Sequence, residues 1–576
     1  MSFIVILAKK SNLKQILLTA LAFISLLSYS QKEYPQDYFN APLDIEPYLS
    51  GTFGELRSNH FHAGLDYKTQ QREGFNVYSS AEGYVSRIKI SHWGYGKALY
   101  ITHPNGYTTV YAHLKKFSPK IEAYIRKKQY EQESFEIQVF PEKDELKVDK
   151  KEIIAYSGAT GGFIGPHLHF EIRDAYQRPI NPFLFGFKVK DTQAPIINDL
   201  MIYPLDNESH LNGKNAPQKI NFNSKADGKF YTNTLNACGN IGIGIKTYDR
   251  LDGALNKNGP YSVRLFVNGS EILGYQFNTF SFAETKQINF MIDYPKYKKE
   301  KNRIQKSYIV PENNLSIYGK KVNNGIIRIE NEKTYNLKLI VADFAGNTTE
   351  LIIPITGKEE KIQPSKEETK PYLIVPDSSY VYRFKNNTNV IFDKNTFYKN
   401  TFIDISTSEN NIKFHHDYPI VKKAFKVKFD SIKFNNEKEK RQSFIATIKS
   451  NGRKSFNKTV KKEDSFYITT KELGNFAVLR DSVAPKIELK NFNDKQWVTH
   501  YQKLVIKIKD DLSGIKSYRG EIDGKWVLLE YSPKYQTLTF NFENAKFSEA
   551  KHNFKIRVRD NVGNETIKEV IFYRKK

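Results

Sequence analysis

Apolar and polar positions alternate with period two along most of this chain. Residues 76–78, 83–88, 98–102 and 108–111 are short alternating runs, and Gly or Asn separates them. That period puts successive side chains on opposite faces, so it predicts antiparallel strands and hairpins. His103-Pro104-Asn105-Gly106 predicts a turn between two of them, because Asn-Gly accepts positive φ. The pattern changes across 119–149. Residues 121–132 are charged and helix-compatible, and 135–140 alternate again, so an inserted helix and strand are expected. Residues 158–165 are Gly-rich and lead into an alternating strand at 167–173.

The remainder of the chain repeats itself. Ala194-Pro195-Ile196-Ile197 and Ala484-Pro485-Lys486-Ile487 open two segments. Asp343-Phe344-Ala345-Gly346-Asn347 and Asp560-Asn561-Val562-Gly563-Asn564 nearly end them. Inside lie Asp249-Arg250-Leu251-Asp252-Gly253 and Asp510-Asp511-Leu512-Ser513-Gly514. Three matched landmarks in one order argue for two copies of one module. Short strands with regular turn signals indicate immunoglobulin-like β-sandwiches. The Asp-x-x-Gly-Asn segments read as turns ahead of a final strand, with calcium binding by these acidic turns as the alternative. The expected organisation is an N-terminal domain at 31–190 with its insert at 119–149, and a first Ig-like module at 191–357. A charged, Pro-containing linker at 358–370, a β module of undetermined type at 371–480 and a second Ig-like module at 481–576 follow.

Length and composition agree with several bodies. A single core rarely grows past roughly 250–300 residues, and this chain has 576. Hydrophobic residues make up 39% and aromatics 14%, mostly Tyr and Phe, which favour strands. The 88 basic residues exceed the 63 acidic ones, a net charge of +25. Such a balance suits nucleic acid, an anionic wall polymer or a membrane surface. The Lys residues are spread over the whole chain and no nucleic-acid motif accompanies them, so no nucleic-acid partner is expected. Cys238 is the only cysteine, which excludes an internal disulfide and a thiolate metal cluster. Near the start, Lys9, Lys10 and Lys14 precede an apolar run at 16–27, and Ser28-Tyr29-Ser30 offers small residues. This reads as a signal peptide over 1–30, and hence export to the periplasm or cell envelope. An uncleaved membrane anchor is the alternative, although the run is shorter than the about 20 residues of a comfortable span.

Seven of the 12 histidines fall between 60 and 173. His167 and His169 sit two apart in a strand and therefore share a face. His62-Ala63-Gly64-Leu65-Asp66 adds a second pair at even spacing, with Gly64 leaving room between them. His113 follows a further strand in Tyr111-Ala112-His113-Leu114. Catalytic zinc takes three ligands from His, Asp or Glu and keeps one position for water, and an Asp partly neutralises the ion. These pieces in one compact β segment point to a zinc hydrolase site. His92 and His103 stand outside the set, and His415-His416 reads as a surface pair.

The motifs His62-Ala63-Gly64-Leu65-Asp66, Tyr111-Ala112-His113-Leu114 and Gly158-Ala159-Thr160-Gly161 through Gly165-Pro166-His167-Leu168-His169-Phe170-Glu171 resemble the lysostaphin-type, or LytM-domain, zinc endopeptidases. The resemblance covers roughly 53–182, and the layout resembles Bacteroidetes-type envelope peptidases with C-terminal Ig-like modules. It implies a mainly β protein whose catalytic domain is an antiparallel LytM-type sheet. It implies that His62, Asp66 and His169 bind one Zn2+ and that His113 and His167 act on the substrate and the water. Zinc lowers the pKa of water and polarises a carbonyl, and no His-Glu-x-x-His sequence supplies a glutamate base. Histidine is therefore the available proton carrier at neutral pH. His60 stands where many relatives carry Arg or another residue. It reads either as a group that touches the substrate or supports a ligand, or as an outward strand residue. The implied substrate is the peptide part of peptidoglycan, with other envelope proteins as partners for the Ig-like modules. Some relatives have lost ligands and only activate other wall hydrolases. All five positions are filled here, which favours activity over a non-catalytic scaffold or activator that binds peptidoglycan.

Overall fold

The computed structural model describes residues 34–162, 165–362, 372–416, 418–545 and 547–575. The expected signal peptide and most of the expected linker lie outside them. Among the described residues no helix is long and apolar enough to cross a membrane.

The N-terminal domain is built on strands β1 (Leu49–Gly51), β2 (Leu65–Lys68), β3 (Gly83–Ile90), β4 (Lys97–Thr102), β5 (Thr108–Ala112), β6 (Ile137–Val139) and β7 (His167–Arg173). They form one antiparallel sheet in the order β1-β2-β7-β5-β4-β3-β6. β4 and β5 are the hairpin that Asn105-Gly106 turns, with Gly106 at φ 85°. β7 lies between β2 and β5, and all seven of its residues are buried. A strand covered on both faces is the most rigid support the sheet can give to side chains. The inserted helix, α1 (Pro119–Glu131), starts with Pro at its first turn, where the missing N–H costs nothing. It buries Ile121 and Ile125 in the same core as Leu65, Tyr111, Leu168 and Phe170.

The loop between β1 and β2 behaves differently. Phe53, Leu56, Phe61 and Ala63 pack into the core of the following module, whose strands include Ile196–Pro204, Leu235–Tyr248 and Thr348–Gly357. Phe61 lies 5.4 Å, ring to ring, from both Phe277 and Phe280, and its N–H donates to Thr285 Oγ1 at 2.8 Å. The packing boundary therefore falls inside the segment that carries His62.

The third region holds two five-stranded sheets and a separate two-stranded pair around one core, and the last region a four-stranded and a five-stranded sheet around another, the layering of a β-sandwich. The last region folds back onto the N-terminal domain. Lys97 Nζ lies 3.0 Å from Glu530, His92 Nε2 lies 3.3 Å from the Tyr518 hydroxyl, and Tyr130 meets Trp526 edge to face.

Candidate active site

Register places two of the expected ligands. In the antiparallel pairing of β7 with β2, His169 stands directly opposite Asp66, so both side chains rise from one face of the sheet. His62 enters from the loop just before β2. The three atoms His62 Nε2, Asp66 Oδ1 and His169 Nδ1 converge, at 3.0, 2.8 and 3.1 Å from one another. All three residues are buried, and together they can hold one metal ion.

The second nitrogen of each imidazole tests whether this set suits a metal. His62 Nδ1–H donates to the Thr52 carbonyl at 2.8 Å, and His169 Nε2–H donates to Glu171 Oε1 at 2.8 Å. Each ring thus turns its acceptor nitrogen to the shared point while a backbone or carboxylate oxygen fixes its tautomer. That support is the usual arrangement behind a zinc-binding histidine. Glu171 is held in turn by Arg173 Nε at 2.6 Å and by the Tyr95 hydroxyl. Asp66 keeps its second oxygen on Arg57, 3.2 Å away, and Arg57 also binds Glu55. Two histidines, one aspartate and anchored outer nitrogens are a donor set that fits zinc.

His113 and His167 lie beside this point, with ring centroids 4.6 Å apart. His113 follows β5 at φ 60°, a left-handed conformation that costs a non-glycine residue about 1–3 kcal/mol and recurs at functional sites. Its Nδ1–H donates to the Thr160 carbonyl at 2.8 Å, and His167 Nδ1–H donates to the Gly165 carbonyl at 3.0 Å. Nε2 is then the basic nitrogen of both. His167 Nε2 is 3.8 Å from Asp66 Oδ1.

Electrostatics separate the two groups of histidines. Burial, with His167 and His169 nearby, pushes His113 down to about 3, and burial also lowers His167. Both rings are neutral at pH 7 and can accept a proton. Burial opposes charge on His169 as well, but Asp66 and Glu171 outweigh it and lift the ring to about 9. Burial would raise Asp66, yet His62 and His169 hold it well below the carboxylate range. A point that draws a proton between Asp66 and His169 is one that also attracts a cation.

His60 is exposed, and its Nδ1 lies 2.8 Å from the Ser58 carbonyl. His92 sits at the contact with the last module, and His103 is buried against Phe39. Sequence reasoning gave no role to Thr52, Arg57, Tyr95, Thr160 or Glu171. Only Glu171 carried a signal: it follows His167 and His169 at the same even spacing on β7, on the same face.

Residues 60–130 match the family described as Peptidase family M23. The DD-carboxypeptidase/endopeptidase Mpg of Neisseria meningitidis serogroup B is 35% identical over 148 residues, covering 24% of this chain and 28% of that protein. An uncharacterized metalloprotease of Haemophilus influenzae is 31% identical over 121 residues, covering 21% and 20%. This chain thus spans under a third of the length of either relative. Among solved structures, a zinc-containing peptidase from Vibrio cholerae is 27% identical, covering 27% of this chain and 41% of that one, with a TM-score of 0.20. The catalytic domain of lysostaphin from Staphylococcus simulans is 20% identical, covering 24% and 92%, with a TM-score of 0.19.

Proposed function

We propose that this chain, which carries a domain of peptidase family M23, is an exported zinc-dependent endopeptidase that hydrolyses peptide crosslinks of peptidoglycan. The observation that carries this reading is the convergence of His62 Nε2, Asp66 Oδ1 and His169 Nδ1 beside two neutral histidines. His62, Asp66 and His169 would hold the ion. When bound, zinc supplies Lewis acidity to a scissile carbonyl and makes water more acidic. The chain's own residues do the rest. One of His113 and His167 would take on Nε2 the proton that the attacking water gives up and hand it to the leaving amine, while the other stands beside it against the substrate. The Thr160 and Gly165 carbonyls keep both rings in the tautomer that this requires. Peptidoglycan as substrate rests on the lysostaphin-type motifs and on the Neisseria relative, whose name gives a DD-carboxypeptidase and endopeptidase. Export rests on the apolar run behind Lys9, Lys10 and Lys14.

Zymography on purified peptidoglycan, followed by mass spectrometry of the released muropeptides, tests the activity and identifies the bond. The zinc-loaded wild type is expected to clear the substrate. His113→Ala should keep its zinc and lose about 10²–10⁴-fold in rate, whereas Asp66→Ala should lose the zinc itself on metal analysis. Failure of the zinc-loaded wild type to release any muropeptide would leave the scaffold reading standing instead.

A further inference from the structure

The duplicated landmarks of the two matched modules come together in space. In the first, Asp191, Asp249 and Asp343 each turn a carboxylate oxygen to within 4.8 Å of the others. In the last, Asp481, Asp510 and Asp560 do the same. The frames are similar, sharing the bond from the Asn four residues on. Asp343 Oδ1 accepts the N–H groups of Gly346 and Asn347 at 2.8 and 2.9 Å, and Asp560 Oδ1 accepts those of Val562 and Asn564 at 3.0 and 2.8 Å. Asn347 Nδ2 reaches back to the Asp191 carbonyl, and Asn564 Nδ2 to the Asp481 carbonyl. Among the described residues, no Lys or Arg forms an ion pair with any of the six.

A second observation marks each cluster as a place for a ligand. Asp249 and Asn258 exchange both backbone hydrogen bonds at 2.9 Å, so their side chains lie on one face. Asn258 is only 2% exposed, yet neither its Oδ1 nor its Nδ2 has a partner, and Asp249 Oδ1 also has none. In the last module, Ser513 N–H donates to Asp481 Oδ2 at 2.9 Å, while its buried Oγ has no partner. Buried polar atoms are seldom left unsatisfied, and three adjacent carboxylates repel one another.

We infer that each matched module binds one calcium ion, through Asp191, Asp249, Asp343 and Asn258 in the first and through Asp481, Asp510 and Asp560 in the last. Oxygen-only donors select a hard cation over zinc. Calcium–oxygen bonds of about 2.3–2.6 Å let two ligands on one ion stand up to about 5 Å apart, which the observed clusters satisfy. Both sites lie at junctions. The first lines a cavity of about 310 Å³ that Thr52, Phe53 and Asn181 of the N-terminal domain also wall. At the second, Gln442 of the third region donates to Asn564, and Asp481 N–H donates to the Gln442 carbonyl. The ion ties a module's entry to its two acidic turns and stiffens the joint with the body before it.

Equilibrium dialysis of the full chain, loaded with one equivalent of zinc and then exposed to millimolar calcium, measures the stoichiometry. Wild type should bind two calcium ions. Asp249→Asn and Asp510→Asn should each bind one, and the double variant none. Calcium should raise the melting temperature of the wild type and leave that of the double variant unchanged. Absence of calcium from the wild type, which needs no variant to be folded, overturns the inference. Retention of both ions by either single variant overturns the ligand assignment.

Discussion

At the scale of single residues, Glu171 does the least visible part of the work. It is not one of the three groups that converge on the metal point, but it fixes the tautomer of His169 and is itself pinned by Arg173 and Tyr95. Burial would raise its carboxyl, yet Arg173 and His169 hold it down at about 2. Glu171→Gln keeps the shape and removes the charge. Zinc affinity should fall about 10–100-fold, as measured by competition with a chelating dye, while the fold stays intact by circular dichroism. His103 gives a residue-scale prediction of another kind. Burial lowers it to about 4, and the Glu82 carbonyl only partly offsets that. The fold prefers neutral His103, so its contribution is fully present above pH 6.5 and is lost as pH falls towards 4. The contribution is about 3 kcal/mol at most. His103→Gln should flatten the stability profile over that window in urea titrations. Even spacing put His167 and His169 on one face, but that His169 and Asp66 belong together came only from the resemblance of the motifs, because spacing within a strand does not say which strand lies beside it. The left-handed backbone at His113 was not legible, because no residue type announces it.

At the scale of elements, the sheet carries Asp66, His167 and His169, while His62 and His113 ride on loops at the strand ends. A Cβ on Gly64 would stand 2.1 Å from the Phe170 carbonyl, so the approach of β2 to β7 needs glycine there. His62 is steadied from the other side by Phe61, buried among Phe277 and Phe280 of the next module. Phe61→Ala should cost about 3–5 kcal/mol of stability and weaken zinc binding together with it. Calorimetry and zinc competition on the same sample would show whether the two losses travel together. An unchanged zinc affinity would mean that the module does not position His62. The strands of this domain were legible from their period-two runs, and the helix from its charged stretch. The anchoring of Phe61 was not, because packing between bodies leaves no period in the chain. The role of Asp191 and Asp481 escaped for a related reason: each lies three residues ahead of an Ala-Pro landmark, outside the turns that drew attention.

At the scale of the whole molecule, the last module grips the N-terminal domain through Lys97, which is only 6% exposed. Glu530→Gln takes the nearest counter-charge from that ammonium; Glu530 itself is 30% exposed and Glu122 also acts on Lys97, so the loss is that of a hydrogen bond between charged groups, about 1.5–3 kcal/mol. Small-angle scattering should show the variant extended relative to the wild type, and Lys97→Met combined with Glu530→Gln should restore part of the compact form. Lys97 and Glu530 are 433 positions apart, so their contact makes the chain a closed ring. The bodies between are folded and packed on their neighbours, so the ring is set by their shapes and not by chain entropy. Its clasp is spread over several contacts, since His92 with Tyr518, Tyr130 with Trp526 and Arg519 with Glu133 join the same two bodies. A change in the length of either intervening body would draw all of these apart together.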